Sequence, residues 1–160
     1  MRHVLSVIFE NQFNAIPRIA GLFSGRGYHM NSMSFGQGED PETTRATITT
    51  EGDEQVIEQI AKQLNKLVDV IKVVEMTYEP FVERELALVK VQSSPATRAE
   101  IMQITDIFRA KIIDVSHKSI TIEVTGKEDK VNAIIEMLSQ FGIRELARTG
   151  IVALKREYQK

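Results

Sequence analysis

Between Glu10 and Ile16 the chain reads Glu-Asn-Gln-Phe-Asn-Ala-Ile, a polar break between an apolar run and a helical stripe. The run is Val4, Leu5, Val7, Ile8 and Phe9, rich in strand formers. After the break, Ile16, Ile19, Ala20 and Phe23 recur at the spacing of one helix face. A strand that runs directly into a helix N-terminus aims several backbone N–H groups into one turn. Those groups and the helix dipole together suit a small anion such as a carboxylate. Asn14 is placed as the N-cap, with a side chain able to accept from an orphan amide. Pro17 falls in the first turn, where a missing N–H costs little, and Gly27 suits the helix stop. Asn11 and Asn14 are equally at home as plain turn and cap residues, and residue chemistry alone favours that simpler role.

Other chemistry is hard to find. The 160 residues include no cysteine, which removes disulfides, thiolate metal sites and Cys nucleophiles. His3, His29 and His117 are scattered without metal-ligand spacing, and His3 and His117 read as surface residues. Gly25-Arg26-Gly27 follows a helix instead of a strand and lacks the third glycine of a dinucleotide turn. Ser24, Ser32 and Ser34 have no nucleophile-elbow context, and no carboxylates stand out as an acid/base pair. Met30, Met33, Met76, Met102 and Met137 read as core or interface filler. The absence of an active-site pattern argues against an enzyme. A net charge of -2 with interspersed signs argues against bulk-charge binding of nucleic acid. No apolar run approaches the ~20 residues of a membrane span. The start MRHVLSVIFEN is too short in apolar residues for a signal peptide. A soluble, cytoplasmic protein that binds no metal, nucleic acid or membrane is expected.

The elements that must position the turn follow from periodicity. Tyr28 to Phe35 reads as a second strand, with Met30, Ser32 and Ser34 on one face and Asn31, Met33 and Phe35 on the other. Residues 36–42 form a turn-rich loop, and Thr43 to Thr50 a β-branched third strand. Gly52-Asp53 opens a helix with Val56, Ile57, Ile60, Ala61, Leu64 and Leu67 on its apolar stripe, and residues 68–76 supply a fourth strand. This is the β-α-β-β-α-β order of ferredoxin-like folds. The far face of such a sheet must find cover or stay polar.

The pattern then recurs. Residues 84–92 are a strand, Ser94-Pro95 caps and starts a helix marked by Ile101, Ile104, Thr105 and Phe108, and two strands flank the turn at Ser116-His117-Lys118. A helix with Val131, Ile134, Ile135 and Leu138 follows Gly126, and residues 143–154 give the last strand material, before a tail from Lys155 expected to fray. The expected fold is α+β, two tandem ferredoxin-like modules covering residues 1–78 and 79–160. Each is small enough to need support from its neighbour or from another chain.

The opening segment resembles the ACT domain, a small-molecule-sensing module with this element order. More narrowly, the whole chain resembles the small regulatory subunits of acetohydroxyacid synthase (acetolactate synthase). The resemblance rests on ENQFNAIPRIAGLFSGRGYHMNSMSF at 10–35, GDEQVIEQIAKQLNKLVDVIKV at 52–73, VERELALVKV at 82–91, FRAKIIDVSHKSITIEVTG at 108–126 and ELARTGIVALKRE at 145–157. It implies a subunit without chemistry of its own. Its partner would be a large catalytic subunit that uses thiamine diphosphate, Mg2+ and FAD in valine, leucine and isoleucine synthesis. This chain would bind no cofactor, raise the partner's activity and mediate feedback inhibition by valine. The first module would form a homodimer and the second a regulatory-subunit domain.

The resemblance also implies where an amino acid binds: between the strand-to-helix turn of one chain and the second strand of its neighbour. The turn corresponds to Asn11, Gln12, Phe13, Asn14, Ala15 and Ile16, and the strand includes His29 and Met30. Helix-start amides would hold the α-carboxylate, and Ile16 and Met30 would cover an aliphatic side chain. Two positions depart from the family pattern, which usually has glycine at Asn14 and asparagine at His29. Weakened valine sensing is one consequence; the other is that Asn14 serves as an adequate cap and the pocket reshapes around it. Competing readings are an RNA-recognition module, an acylphosphatase-like enzyme and a stand-alone amino-acid sensor. The third strand TTRATITT has no aromatic for base stacking, and the first turn has no arginine to cradle phosphate. A stand-alone sensor leaves the second half of the resemblance unexplained.

Overall fold

The computed structural model describes residues 1–12 and 14–157. The chain forms two compact units, one of residues 1–82 together with the chain from Ile151 on, the other Glu83–Gly150.

In the first unit, β1 (Arg2–Glu10), β2 (Met30–Gln37), β3 (Thr43–Glu51) and β4 (Val70–Glu75) form a sheet in the order β2-β3-β1-β4. Helices α1 (Ala15–Arg26) and α2 (Glu54–Asn65) complete the β-α-β-β-α-β order. Alternation along β1 aims Leu5, Val7 and Phe9 at the helices, where they meet Ile19, Phe23, Ile57, Ile60 and Leu64 in one buried cluster. Each such side chain contributes roughly 1.5–3 kcal/mol of burial. The stripe of α1 runs through Ala15, Ile19 and Phe23, whereas Ala20 is exposed. Gly27 stops α1 at a φ of 69°, a left-handed conformation that glycine adopts without a Cβ penalty. Asp53 caps α2 by accepting from the Val56 N–H at 2.9 Å.

Part of the far face of this sheet is covered by Ile151 and the strand that follows it. Strand β9 (Val152–Lys155) brings Ala153 beside Ile151, and these bury Val4 and Met76, with Val74 and Phe81 alongside. The Ala153 N–H donates to the Thr47 hydroxyl at 3.2 Å. Lys155, expected to open a frayed tail, pairs with Glu79, and the Arg156 N–H donates to the Pro80 carbonyl at 2.9 Å. The division between the units therefore differs from one at 78/79: it falls at 82/83, and the last strand material splits. Gly150, at φ 73°, lies in the break between β8 (Ile143–Arg148) and β9.

The second unit repeats the order with β5 (Phe81–Gln92), α3 (Arg98–Ile107), β6 (Lys111–Val115), β7 (Ser119–Gly126), α4 (Glu128–Ser139) and β8, strands ordered β6-β7-β5-β8. Its core joins Ala87, Val89, Val91, Ile120, Ile122 and Val124 to Ile101, Ile104, Val131, Ile134 and Leu138. Helix α3 begins three residues later than Ser94-Pro95 suggests, at Thr97-Arg98. The Ser94 carbonyl accepts from both the Thr97 and Arg98 N–H groups, so Ser94-Pro95 is a turn ahead of the helix. Buried Glu85 takes Arg148 in a two-pronged ion pair at 2.8 and 2.7 Å.

Two local expectations fail for definable reasons. A bulge between Met30 and Ser32 breaks the alternation of β2, so Met30 shares the helix-facing side with Met33 and not the far side with Ser32. His3 is wholly buried, its Nδ1 3.2 Å from the Glu75 carboxylate and its Nε2 3.2 Å from the Gly52 carbonyl. His117 is exposed.

Candidate functional site: the turn between β1 and α1

The turn is held from both sides by backbone. The Glu10 N–H donates to the Asp69 carbonyl at 2.8 Å, and the Asn11 N–H to the Glu42 carbonyl at 2.9 Å. Within the turn, Gln12 donates to Glu10 at 2.8 Å and Ala15 to Gln12 at 3.2 Å. Several amides that the sequence makes available to a ligand are thus engaged, and Pro17 has none. The Asn14 and Ile16 N–H groups have no acceptor among the described residues. Asn14 occupies the N-cap position, but its side chain makes no capping bond. Its backbone φ of -99° and ψ of -4° already lie near the helical region, unlike the extended conformation of a bonding cap such as Asp53.

Asn11, Gln12 and Asn14 are exposed, with the Gln12 amide bonded to the Glu10 carboxylate at 2.9 Å. Ala15 is buried in the core and Ile16 leans on it, half-buried. Phe13 lies outside the described residues. His29 is exposed, its carbonyl accepting from the buried Thr50 hydroxyl. Met30 is half-buried and, because of the bulge, packs on its own chain's core.

The register separates these residues into two groups. Met30 is opposite Thr50, which is opposite His3, at the start of β1. Asn11 follows Glu10, opposite Thr43, at the other end. The seven residue steps from His3 to Glu10 along β1 amount to roughly 23 Å at ~3.3 Å per residue. One chain therefore does not bring Asn11–Ile16 together with His29 and Met30.

Sequence reasoning missed the supports of the turn. Arg18 Nη1 donates to the buried Asp69 carboxylate at 2.8 Å, and Glu42 and Asp69 supply the flanking carbonyls. These partners lie 51 residues apart for Arg18 and Asp69, beyond the reach of any local periodicity. Among the described residues, no group of three or more His, Asp or Glu side chains could hold a metal ion. No helix among them is long and apolar enough to cross a membrane.

Comparison with known proteins accounts for the whole chain. Residues 5–72 match the AHAS small subunit-like ACT domain, and residues 84–157 match the family described as the small subunit of acetolactate synthase. An Archaeoglobus fulgidus protein named "Probable acetolactate synthase small subunit" is 51% identical over 160 residues, covering 100% of both chains. The chain belongs to the acetolactate synthase small subunit family. The Aquifex aeolicus acetolactate synthase small subunit is 49% identical over 158 residues, 98% of this chain and 82% of that one. The crystal structure of the acetolactate synthase small subunit from Thermotoga maritima superposes with a TM-score of 0.91 at 42% identity, over 99% of each chain. For an acetolactate synthase small subunit of this kind, the partner implied is a catalytic large subunit, and the setting is branched-chain amino-acid biosynthesis.

Proposed function

We propose that this small subunit is non-catalytic, raises the activity of its catalytic partner, and conveys feedback inhibition by valine or a related branched-chain amino acid. The observation that carries this reading is family membership along the full length of the chain, in both units. The carboligation chemistry, with thiamine diphosphate, Mg2+ and FAD, belongs to the partner in this reading. The ACT domain carries the effector site and pairs with a second copy, the second module contributes to the valine response, and the complex acts in the cytoplasm.

The separation of the two residue groups supports an effector site built between copies. Asn11–Ile16 of one copy would face His29 and Met30 of another, an arrangement that a single chain leaves incomplete. An amino-acid zwitterion suits the turn. The Asn14 and Ile16 amides, which have no acceptor among the described residues, would donate to its carboxylate, and the exposed Glu10 carboxylate carries the charge its ammonium needs. Inhibition then requires that the amino acid bind one state of the assembly more tightly than the other.

The test is acetolactate formation by the matching catalytic subunit, with and without this protein, across a valine titration. Activation with inhibition upholds the whole reading. Activation without inhibition removes the valine part and turns attention to Asn14 and His29. No complex and no rate change overturn the regulatory assignment.

A further inference from the structure

We propose that Asp69, acting through Arg18, is a positioning residue that sets the conformation of the β1–α1 turn and with it the affinity for the effector; the effector clause rests on the function proposed above. Asp69 is buried, at 6% exposure, and lies just before β4. It holds both sides of the turn. Its carbonyl accepts the Glu10 N–H at the end of β1, and its carboxylate accepts Arg18 Nη1 from α1, each at 2.8 Å.

The linkage continues into the site. The Arg18 N–H donates to the Asn14 carbonyl at 3.1 Å and so closes the first turn of α1. Fixing Arg18 therefore fixes the plane of the Asn14–Ala15 peptide, which lies between the two amides that have no acceptor among the described residues. The cost of misplacement falls on the ligand, because a hydrogen bond weakens steeply once its angle leaves the linear range.

The charges are arranged for this purpose. Helix α1 has no acidic residue in its first turn, and a cation early in a helix is disfavoured by the dipole. Asp69 compensates Arg18 from outside the helix. Arg18 is half-exposed at 47%, so the pair contributes modestly to stability, while its buried partner fixes direction. The expected signature is a local effect on the turn that exceeds the effect on the unit as a whole.

The experiment uses the full chain and the variants Arg18→Met, Arg18→Lys and Asp69→Asn. The last keeps the backbone carbonyl that holds Glu10. Amide hydrogen exchange is followed across the molecule, and valine binding is measured by calorimetry. In Arg18→Met and Asp69→Asn, exchange at Asn11, Gln12 and Ala15 should quicken about tenfold, with Ile60 and Leu64 of α2 unchanged, and valine should bind about 5–10-fold more weakly. Arg18→Lys should recover part of both.

Wild-type exchange rates at the turn, or an acceleration spread evenly over the unit, overturn the proposal. So does a loosened turn with unchanged valine affinity. If the wild-type chain binds no branched-chain amino acid, the proposed function fails at the effector. The positioning role is then decided by exchange alone, upheld by local acceleration and overturned by uniform rates.

Discussion

The molecule contains the same structural moment twice, a strand turning into a helix, and the two turns are finished differently. In the second unit the turn before α3 closes on itself. The Ser94 N–H donates to the Thr97 hydroxyl at 3.0 Å, while the Ser94 carbonyl accepts from Thr97 and Arg98 at 3.1 and 3.0 Å. Arg98 is spent on the Ser116 carbonyl at 2.9 Å. In the first unit the Asn14 side chain closes nothing, and amides at Asn14 and Ile16 stay without an acceptor among the described residues. A turn that satisfies its own donors has nothing to offer a ligand. A turn held from outside, by Glu42 and Asp69, keeps its shape and its donors together. Fold alone therefore does not decide where a ligand goes; the local hydrogen-bond inventory does.

This contrast can be broken or sharpened by substitution. The largest effect is expected at the other end of the strand that leads into the second turn. Hydrogen bonding to Glu85 raises the Arg148 pKa above its ordinary value, against the opposing effect of burial. Arg148→Ala leaves the buried Glu85 carboxylate unpaired and should lower the unfolding free energy by about 3 kcal/mol in urea, the low end for a broken buried pair because the Arg148 side of the pair opens to solvent.

Thr97→Ala removes the hydroxyl that finishes the second turn, and should cost about 1 kcal/mol in the same measurement without altering valine binding. Asn14→Ala should change stability by less than about 0.5 kcal/mol, since no side-chain bond is lost. A cost at Asn14 equal to that at Thr97 would erase the distinction between the turns. Asn14→Gly should be near neutral for stability, at a few tenths of a kcal/mol. It should also tighten valine inhibition by opening the space beside the Asn14 amide, which a dose–response curve of acetolactate formation would read.

Most of the scaffold around the first turn was legible because it is written in short-range periodicity. Leu5, Val7 and Phe9 alternate, Ile19 and Phe23 recur at four, and Gly27 marks a left-handed stop; each signal lies within a few residues of its consequence. The misreadings share the opposite property. His3 is buried by Glu75 and Gly52, which lie far along the chain. Met30 changes face because one residue is added to β2, and a period of two has no tolerance for an odd insertion. Ser94-Pro95 carried a helix-start signature, yet Pro95 also suits the second position of a turn, and the turn won. The candidate site was legible as a segment. Its two supports, at Glu42 and Asp69, were not, because nothing local marks the residue that will receive a distant N–H.

The return of β9 to the first unit changes what counts as a part of this protein. Topologically, residues 83–150 are a guest inserted into a host, and the host is not finished until the chain has come back from the excursion. Cutting after Val82 would strip Ile151 and Ala153 from the face of Val4 and Met76 and leave it wet. The same consideration bears on synthesis: the first sheet can pair its strands early, but the face of Val4 and Met76 stays open until Ile151 and Ala153 have been made.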